Sequence, residues 1–517
     1  MIPHLSKLYL LALFLFTALP ALAESTSEPS RTDLEEQSST TRGEVTIEGQ
    51  VVEYTATVGD LVLRDDAGEP RARMTYVSYV REGVTDRATR PVLFAFNGGP
   101  GSASVWVHLG AYGPKKVALD DEGYPTGPPP GRLVDNEYSL LDVADLVFID
   151  PVETGWSRPA PGHKTTEFTG YTHDVIHVGD LIRLWLSREN RWASPKFIAG
   201  ESYGSTRAAG LASYLQEAHG AFINGVALVS SVINWQTKVF NIGNDLPHVL
   251  ILPTYTAIAW YHDKLPERYD GDLQAALRDA EAFALTDYLP ALALGERLPT
   301  ERRAEIVRRT AELTGLSERY VEDTDLRIEI FRFAKELLRD EGKTVGRLDG
   351  RYTGADRDDA AERFEFDPAF SLVIGHYVSL LKDYLRRDLG FERDEHFRHS
   401  AGQRVRPWNY HEADRTEGYN TNAYANYAET LREAMHRNPA LQVLVQSGYY
   451  DLATPYFASD YTVDHMQLDP AIRPNLKVAY YDAGHMMYVR RADHEKFRRD
   501  TLQWIEDALS WTPPAAD

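Results

Sequence analysis

The sequence predicts an α/β fold with a central, mostly parallel sheet and a largely helical insertion, and three observations support this. Short apolar runs such as residues 91–96 and 145–150 lack polar alternation, which is typical of strands buried on both faces of a parallel sheet. Segments with helical periodicity separate several of these runs. A long segment at residues 235–424, rich in Arg, Glu, Ala and Leu at helical spacing, interrupts the alternation.

The N-terminal residues predict export. Lys7 is followed by a mostly apolar run at residues 8–19, and an Ala-x-Ala pattern ends at Ala23. A charged start, an apolar middle and small residues before the cut form a secretory signal, so residues 1–23 are predicted to be a signal peptide. Residues 24–42 are rich in Ser, Thr and Glu and predict a polar linker. We therefore expect a periplasmic or secreted protein.

Residues 43–234 are predicted to form the first part of the α/β core. Alternating apolar and polar residues from 43 to 81 indicate antiparallel strands and hairpins. Continuous apolar runs follow, among them residues 196–200 and 225–229. Helical patterns between these runs favour strand–helix alternation and an open sheet.

The insertion is predicted to span residues 235–424. It has helical spacing at residues 275–284, 301–313 and 328–339, and it contains no clear strand. Residues 425–517 are predicted to return to the core as its second part, with further strands and a closing helix.

Composition and charge exclude several classes of protein. The formal net charge of −22 repels phosphate backbones, so we expect no nucleic acid partner. The chain has no cysteine, which excludes disulfides and thiolate sites. It has no His-Glu-x-x-His spacing, and we expect no metal and no cofactor. No second long apolar segment follows, so we expect no membrane contact after signal removal, while the oligomeric state stays open.

The strongest local motif is Gly200-Glu201-Ser202-Tyr203-Gly204, which lies between an apolar run and a helical pattern. A sharp strand-to-helix turn needs small residues two before and two after its serine, and Gly200 and Gly204 meet that need. Such a turn exposes the hydroxyl near the start of a helix, where negative charge is favoured. The motif predicts Ser202 as a nucleophile, and a plain turn is the alternative.

A serine nucleophile needs a histidine base and an acid that orients the histidine. Asp451 comes shortly after an apolar run at residues 441–445, and His485 follows a predicted strand at residues 478–481. Residues that follow parallel strands share one edge of the sheet. The chain order Ser, Asp, His is that of many serine hydrolases, although each residue alone also fits a turn or surface role.

The motif Asn97-Gly98-Gly99-Pro100-Gly101 follows an early core strand. A glycine-rich turn lets backbone N–H groups approach a substrate oxygen closely, so this loop is a candidate oxyanion site. A tight loop without a ligand is the alternative. A phosphate loop is disfavoured because no Gly-Lys-Ser/Thr sequence follows.

Together these motifs resemble the serine carboxypeptidase family, which has the α/β-hydrolase fold. The resemblance runs over about residues 91–489 and is weakest in the insertion. The segments that carry it, in the family's order, are Asn97-Gly98-Gly99-Pro100-Gly101-Ser102, Phe148-Ile149-Asp150-Pro151-Val152-Glu153-Thr154-Gly155-Trp156-Ser157, Gly200-Glu201-Ser202-Tyr203-Gly204, Gly448-Tyr449-Tyr450-Asp451 and Gly484-His485-Met486.

The resemblance implies a role for each matching residue. It makes Ser202 the nucleophile, His485 the general base and then acid, and Asp451 the orienting carboxylate. It further implies an oxyanion hole formed by two backbone N–H groups and a binding site for the C-terminal carboxylate of the substrate. The residues of the oxyanion hole are Gly99 and Tyr203, and those of the carboxylate site are Asn97, Gly98 and Glu201.

The resulting expectation is a metal-independent carboxypeptidase that acts on peptides with a free C-terminus. Two carboxyl groups form a hydrogen bond only when one is protonated, so Glu201 needs a raised pKa and activity should favour acidic pH. An esterase or acyltransferase with the same triad is the first alternative. A catalytically silent binding protein on a hydrolase scaffold is the second.

Overall fold

A ten-stranded mixed sheet forms the centre of the fold, and two short hairpins lie outside it. The structure is a computed structural model that describes residues 34–411 and 424–512. The predicted signal peptide lies outside the described residues. In chain order the strands are β1 (Ser38–Ile47), β2 (Gln50–Arg64), β3 (Pro70–Arg81), β4 (Val92–Phe96), β5 (Lys115–Val117), β6 (Leu133–Asp135), β7 (Asp145–Ile149), β8 (Arg158–Pro159), β9 (Lys196–Glu201), β10 (Gly225–Val229), β11 (Thr344–Val345), β12 (Thr353–Gly354), β13 (Gln442–Gly448) and β14 (Leu476–Tyr481).

Six neighbouring strands of the sheet run parallel, in the spatial order β7, β4, β9, β10, β13, β14. Strands β1, β2 and β3 continue the sheet antiparallel beyond β7, and β8 pairs with β3. These pairings confirm the predicted parallel core and its antiparallel start. Every residue of β4, β9 and β10 is buried, which explains why these segments are almost continuously apolar.

Helices pack on both faces of the sheet. In chain order they are α1 (Tyr171–Arg188), α2 (Tyr203–His219), α3 (Leu246–Tyr261), α4 (Leu273–Phe283), α5 (Leu289–Leu294), α6 (Thr300–Thr314), α7 (Glu318–Asp323), α8 (Ile330–Glu336), α9 (Pro368–Arg387), α10 (Ala428–Arg437), α11 (Tyr456–Asp464) and α12 (Arg491–Ser510). Leu93 and Ala95 of β4 join one core with α12, whereas Phe94 and Phe96 join another with α1 and α2. None of the helices in the described ranges is long and apolar enough to span a bilayer.

The insertion has a buried core of its own, to which α3, α4, α6 and α8 contribute. Tyr450 and Leu452, which follow β13, belong to the same core, so the insertion is anchored beside one end of the sheet. Strands β11 and β12 form an antiparallel hairpin within it. The prediction of an insertion without strands is wrong here, because two-residue strands have no periodicity that a sequence pattern reveals.

The polar linker predicted at residues 24–42 is also wrong at its end, because β1 begins at Ser38. Residues from Ser38 to Ile47 pair with β2 in an unbroken antiparallel register, from Ser38 opposite Gly59 to Ile47 opposite Gln50. The side chains at the start of β1 are exposed or half-buried. Backbone hydrogen bonds to β2 therefore order a polar segment that has little apolar surface to bury.

Candidate active site

Loops from four strands meet at the carboxyl edge of the parallel sheet. Asn97 follows β4, Ser202 follows β9, Asp451 follows β13 and His485 follows β14. Parallel strands end at the same edge, which brings together residues that are distant in the sequence. A cavity of about 240 Å³ opens here. Its lining includes Asn97, Gly98, Gly99, Trp106, Glu201, Ser202, Arg347, Leu348, Phe370, His399, Ala453 and His485.

Ser202 occupies a strained turn between β9 and α2. Its φ of 61° and ψ of −127° are unusual for a residue with a side chain, and its N–H donates to the carbonyl oxygen of Val229 over 2.9 Å. A Cβ at position 200 would lie 2.0 Å from the carbonyl oxygen of Gly204, so only glycine fits there. The predicted strand–turn–helix context of the serine is present, and the serine lines the cavity.

His485 and Asp451 form a buried pair behind the serine. Nδ1 of His485 lies 2.6 Å from Oδ2 of Asp451, and the aspartate is fully buried. Oδ1 of Asp451 accepts from the N–H groups of Ala453 at 2.7 Å and Thr454 at 3.1 Å, while the Thr454 hydroxyl donates to Oδ2 at 2.5 Å. These contacts orient the carboxylate, which in turn fixes the imidazole tautomer and leaves Nε2 free to act as a base.

Glu201 lies beside the serine as a buried carboxyl group. Its Oε1 accepts from Nδ2 of Asn97 over 2.8 Å, and its Oε2 accepts from the hydroxyl of Tyr488 over 2.6 Å. Burial raises the pKa of Glu201 to about 7, although the charge of His485 and the hydrogen bonds from Tyr488 and Asn97 oppose the rise. Glu201 is therefore able to carry a proton in mildly acidic solution.

The amide of Asn97 has a fixed orientation. Its Oδ1 accepts from the backbone N–H groups of Trp106 at 3.1 Å and Val107 at 3.2 Å. The oxygen thus points away from Glu201 and the nitrogen points towards it. One N–H of the amide donates to Glu201, and the amide nitrogen has a second N–H that can donate as well.

The candidate oxyanion donors are the backbone N–H groups of Gly99 and Tyr203. Gly99 lines the cavity, and Tyr203 is the first residue of α2, so its N–H has no acceptor within the helix. The start of a helix also favours negative charge. A Cβ at Gly98 would lie 2.4 Å from the backbone nitrogen of Tyr203, so the two loops touch and only glycine allows this contact.

Several residues that support the site were missed at the sequence level. Tyr488 lies three positions after His485, and Thr454 lies three positions after Asp451. This proximity in the sequence is the signal by which they could have been found. Arg207 of α2, five positions after Ser202, is fully buried. Its Nε donates to Oδ2 of Asp174 over 2.7 Å, and its Nη1 donates to the carbonyl oxygen of Asn97 over 2.8 Å. Arg207 thus ties the glycine-rich loop to α2.

The β11–β12 hairpin of the insertion contacts the two loops that carry Asp451 and His485. The N–H of His485 donates to the carbonyl oxygen of Leu348 over 2.6 Å, and the N–H of Gly484 donates to Oδ2 of Asp349 over 2.9 Å. On the other side, the N–H of Leu452 donates to the carbonyl oxygen of Arg347 over 3.1 Å. No local sequence pattern indicated these contacts.

Comparison with known proteins finds a match to one protein family. The family model described as serine carboxypeptidase matches residues 68–278. These residues include the glycine-rich loop and the turn that carries Ser202. Over these residues the chain is similar to the serine carboxypeptidase family, and this match confirms the predicted enzyme class, a serine-type hydrolase. Asp451 and His485 lie beyond the matched residues, so their assignment depends on the geometry of the buried pair.

Two solved structures are among those similar to this chain. Kex1Δp, a prohormone-processing carboxypeptidase from Saccharomyces cerevisiae, is 14% identical with a TM-score of 0.52, over 88% of this chain and 92% of that chain. A proline iminopeptidase from Mycobacterium smegmatis is 14% identical with a TM-score of 0.36, over 87% of this chain and 98% of that chain. The likeness to the first of them confirms the predicted α/β-hydrolase fold.

Proposed function

We propose that this protein belongs to the serine carboxypeptidase family, that it releases C-terminal amino acids from peptides through an acyl-enzyme on Ser202, and that it favours acidic pH. The observation that carries the proposal is the pair formed by Glu201 and Asn97 in the cavity that Ser202 and His485 also line. This pair can bind the terminal carboxylate of a peptide while the scissile carbonyl lies at the serine.

The triad supplies the covalent steps. Nε2 of His485 takes the proton of Ser202 as its Oγ attacks the scissile carbonyl, and Asp451 stabilises the imidazolium that forms. The oxyanion of the tetrahedral intermediate accepts hydrogen bonds from the N–H groups of Gly99 and Tyr203. The imidazolium then gives its proton to the leaving amine, which departs as the C-terminal amino acid. Water, activated by the same histidine, hydrolyses the acyl-enzyme.

Recognition of the carboxylate explains the expected pH preference. With a pKa of about 7, Glu201 is protonated below neutrality and can donate its proton to the terminal carboxylate of the substrate. Asn97 adds an amide N–H, and the backbone of Gly98 lies in the same part of the cavity wall. Above neutrality an ionised Glu201 repels the substrate carboxylate, so binding weakens.

An esterase or acyltransferase with the same triad is the competing function. It would use Ser202 in the same way but would not need a free carboxylate at the end of its substrate. A silent binding protein would need none of the triad chemistry, and the buried Asp451–His485 pair argues against it.

Peptide panels with free and amidated C-termini distinguish these functions. Wild type, Ser202→Ala and the control Ser371→Ala, whose side chain is exposed on α9, are assayed by mass spectrometry from pH 4 to 8. We expect loss of single residues from free C-termini with wild type and control, little reaction with amides, and none with Ser202→Ala. Equal cleavage of amides, or ester hydrolysis without peptide cleavage, would reject the carboxypeptidase. Failure of a fluorophosphonate to label Ser202 would favour the silent protein.

We also propose that the enzyme acts in the periplasm or outside the cell. The N-terminal sequence pattern, with Lys7, an apolar run and Ala-x-Ala ending at Ala23, supports this. N-terminal sequencing of the exported protein should find Glu24 as its first residue. A protein that keeps Met1 and stays in the cytoplasm contradicts the proposal.

A further inference from the structure

We propose that Arg347 makes the enzyme select substrates with an acidic side chain, Asp or Glu, at one of the two residues that flank the scissile bond. This inference rests on the proposed carboxypeptidase function and names the substrate class of the same cavity.

The backbone of Arg347 is held on both sides. Its N–H donates to Oδ1 of Asp367 over 3.1 Å, and its carbonyl oxygen accepts from the N–H of Leu452 over 3.1 Å. The next residue, Leu348, accepts from the N–H of His485 over 2.6 Å. Arg347 is therefore presented on a fixed hairpin, one residue away from a direct contact with the catalytic histidine.

The guanidinium of Arg347 has no protein acceptor in the described part of the chain. The residue is half-buried and lines the cavity, yet its side chain forms no ion pair and no hydrogen bond with the described residues. The nearby carboxylate of Asp367 already accepts from the N–H groups of Arg347, Leu348 and Ala369. The five N–H donors of the guanidinium are left for a ligand, and they match a carboxylate in geometry and charge.

The charges around the cavity favour an anion at this position. Among the described lining residues Glu201 is the only acid, and its carboxyl oxygens are engaged by Asn97 and Tyr488. Lys238 does not line the cavity, but its Nζ donates to the carbonyl oxygen of the lining residue Ala453 over 2.8 Å. Burial lowers the pKa of Lys238 to about 7, so it adds a second positive charge in acidic solution. In a chain with a net charge of −22, Arg347 is thus the only Arg or Lys among the described residues that line this cavity.

Arg347 and the carboxylate site bind different groups of the substrate. Asn97 and Glu201 bind the α-carboxylate of the last residue, whereas Arg347 belongs to the insertion and is held next to the histidine that protonates the leaving amine. The side chain that reaches Arg347 is that of the released residue or of the residue before it. In both cases the bound group is a carboxylate. The substrate panel below determines which of the two residues carries it.

The experiment compares kcat/KM for five N-blocked dipeptides with free C-termini: Ala-Ala, Glu-Ala, Ala-Glu, Lys-Ala and Ala-Lys. Assays at about pH 6 keep the glutamate side chains ionised. Wild type, Arg347→Gln, Arg347→Glu and the control Arg319→Gln are compared, because Arg319 of the insertion is exposed and distant in the sequence from the cavity-lining residues. Circular dichroism and fluorophosphonate labelling of Ser202 verify that each variant is folded and has a reactive serine.

We expect wild type and the control to cleave one glutamate peptide at least about tenfold faster than Ala-Ala, as an added charge pair in a desolvated site requires. Arg347→Gln should lose at least about ten times more activity on that peptide than on Ala-Ala, and Arg347→Glu should prefer the lysine peptide of the same position. Equal losses on all five peptides would overturn the proposal, since Arg347 would then serve the α-carboxylate or the fold. Wild type that cleaves Ala-Ala without a glutamate preference would overturn it too, but would leave the carboxypeptidase function intact. A wild type that cleaves none of the peptides would reject that function first.

Discussion

The hydroxyl of Tyr488 donates to Oε2 of Glu201 over 2.6 Å, and both groups are buried. This contact joins the segment after His485 to the last residue of β9. Because Asn97 binds the other carboxyl oxygen, Glu201 has one fixed orientation in the cavity. Its protonation therefore decides whether this carboxyl group of the cavity lining is a hydrogen-bond donor or a negative charge.

Glu201→Gln should weaken the pH dependence of peptide binding. In wild type, KM for peptides with free C-termini should rise as pH increases through about 7, because ionised Glu201 repels the α-carboxylate. An amide side chain remains a donor at every pH, so KM of the variant should stay nearly constant from pH 5 to 8. Steady-state kinetics over this range measures the effect. A variant with the same alkaline rise in KM as wild type would remove Glu201 from substrate binding.

The raised pKa of Glu201 also predicts how the stability of the fold changes with pH. Glu201 ionises near its ordinary pKa of 4.5 in the unfolded chain and at about 7 in the folded protein. The contribution of this group to the free energy of unfolding is therefore fully present below pH 4.5 and is lost as pH rises to about 7. The difference of about 2.5 pKa units corresponds to roughly 3 kcal/mol at pH 8. The free energy of unfolding of Glu201→Gln, measured relative to that of wild type, should therefore rise by about this amount from pH 4 to pH 8.

Thermal and urea unfolding at both pH values test this stability prediction. Glu296→Gln, at an exposed position of the insertion, serves as the control and should change little. If the stability difference between Glu201→Gln and wild type is the same at pH 4 and pH 8, the carboxyl group does not carry a raised pKa in the folded protein.

Asp451→Asn should abolish most of the activity while the fold is kept. The carboxylate binds Nδ1 of His485 at 2.6 Å and accepts from Ala453 and Thr454. An asparagine has one oxygen for these donors, so the imidazole loses the partner that fixes its tautomer, at a cost of about 10³ to 10⁴ in kcat. Turnover and fluorophosphonate labelling of Ser202 measure it. Wild-type turnover in a folded variant would mean that another group orients the histidine.

Much of the site was predictable because its parts follow strands that the sequence pattern marks clearly. Ser202, Asp451 and His485 each come after an almost continuous apolar run, and the carboxyl edge of a parallel sheet brings such positions together. The glycines two residues before and two residues after Ser202 meet a local steric requirement of the turn, and such a requirement can be recognised in the sequence.

Contacts between distant segments were not predictable in the same way. Tyr488 and Glu201 are 287 positions apart, and no periodicity relates them. The hairpin of β11 and β12 consists of two-residue strands, too short for an alternating pattern. The polar start of β1 at Ser38 is ordered by its partner strand rather than by its own composition. These features depend on tertiary packing, which a single sequence does not display.

Asp349→Asn tests whether the hairpin positions the catalytic histidine. Oδ2 of Asp349 accepts from the N–H of Gly484 at 2.9 Å and from Nη2 of Arg351 at 2.6 Å, and both side chains are buried. The variant keeps the shape but leaves Arg351 with a weaker partner, so the loop before His485 should shift. A displacement of about 1 Å near the chemistry costs on the order of 100-fold in rate.

We therefore expect a large fall in kcat with a small change in KM. Asp340→Asn, an exposed replacement in the same insertion, is the matched control and should leave both parameters near wild type. A lower melting temperature without any fall in kcat would indicate that Asp349 stabilises the insertion and does not position His485. Because the hairpin also presents Arg347 to the cavity, a loss of kcat that is equal for acidic and neutral peptides separates this positioning role from substrate selection by Arg347.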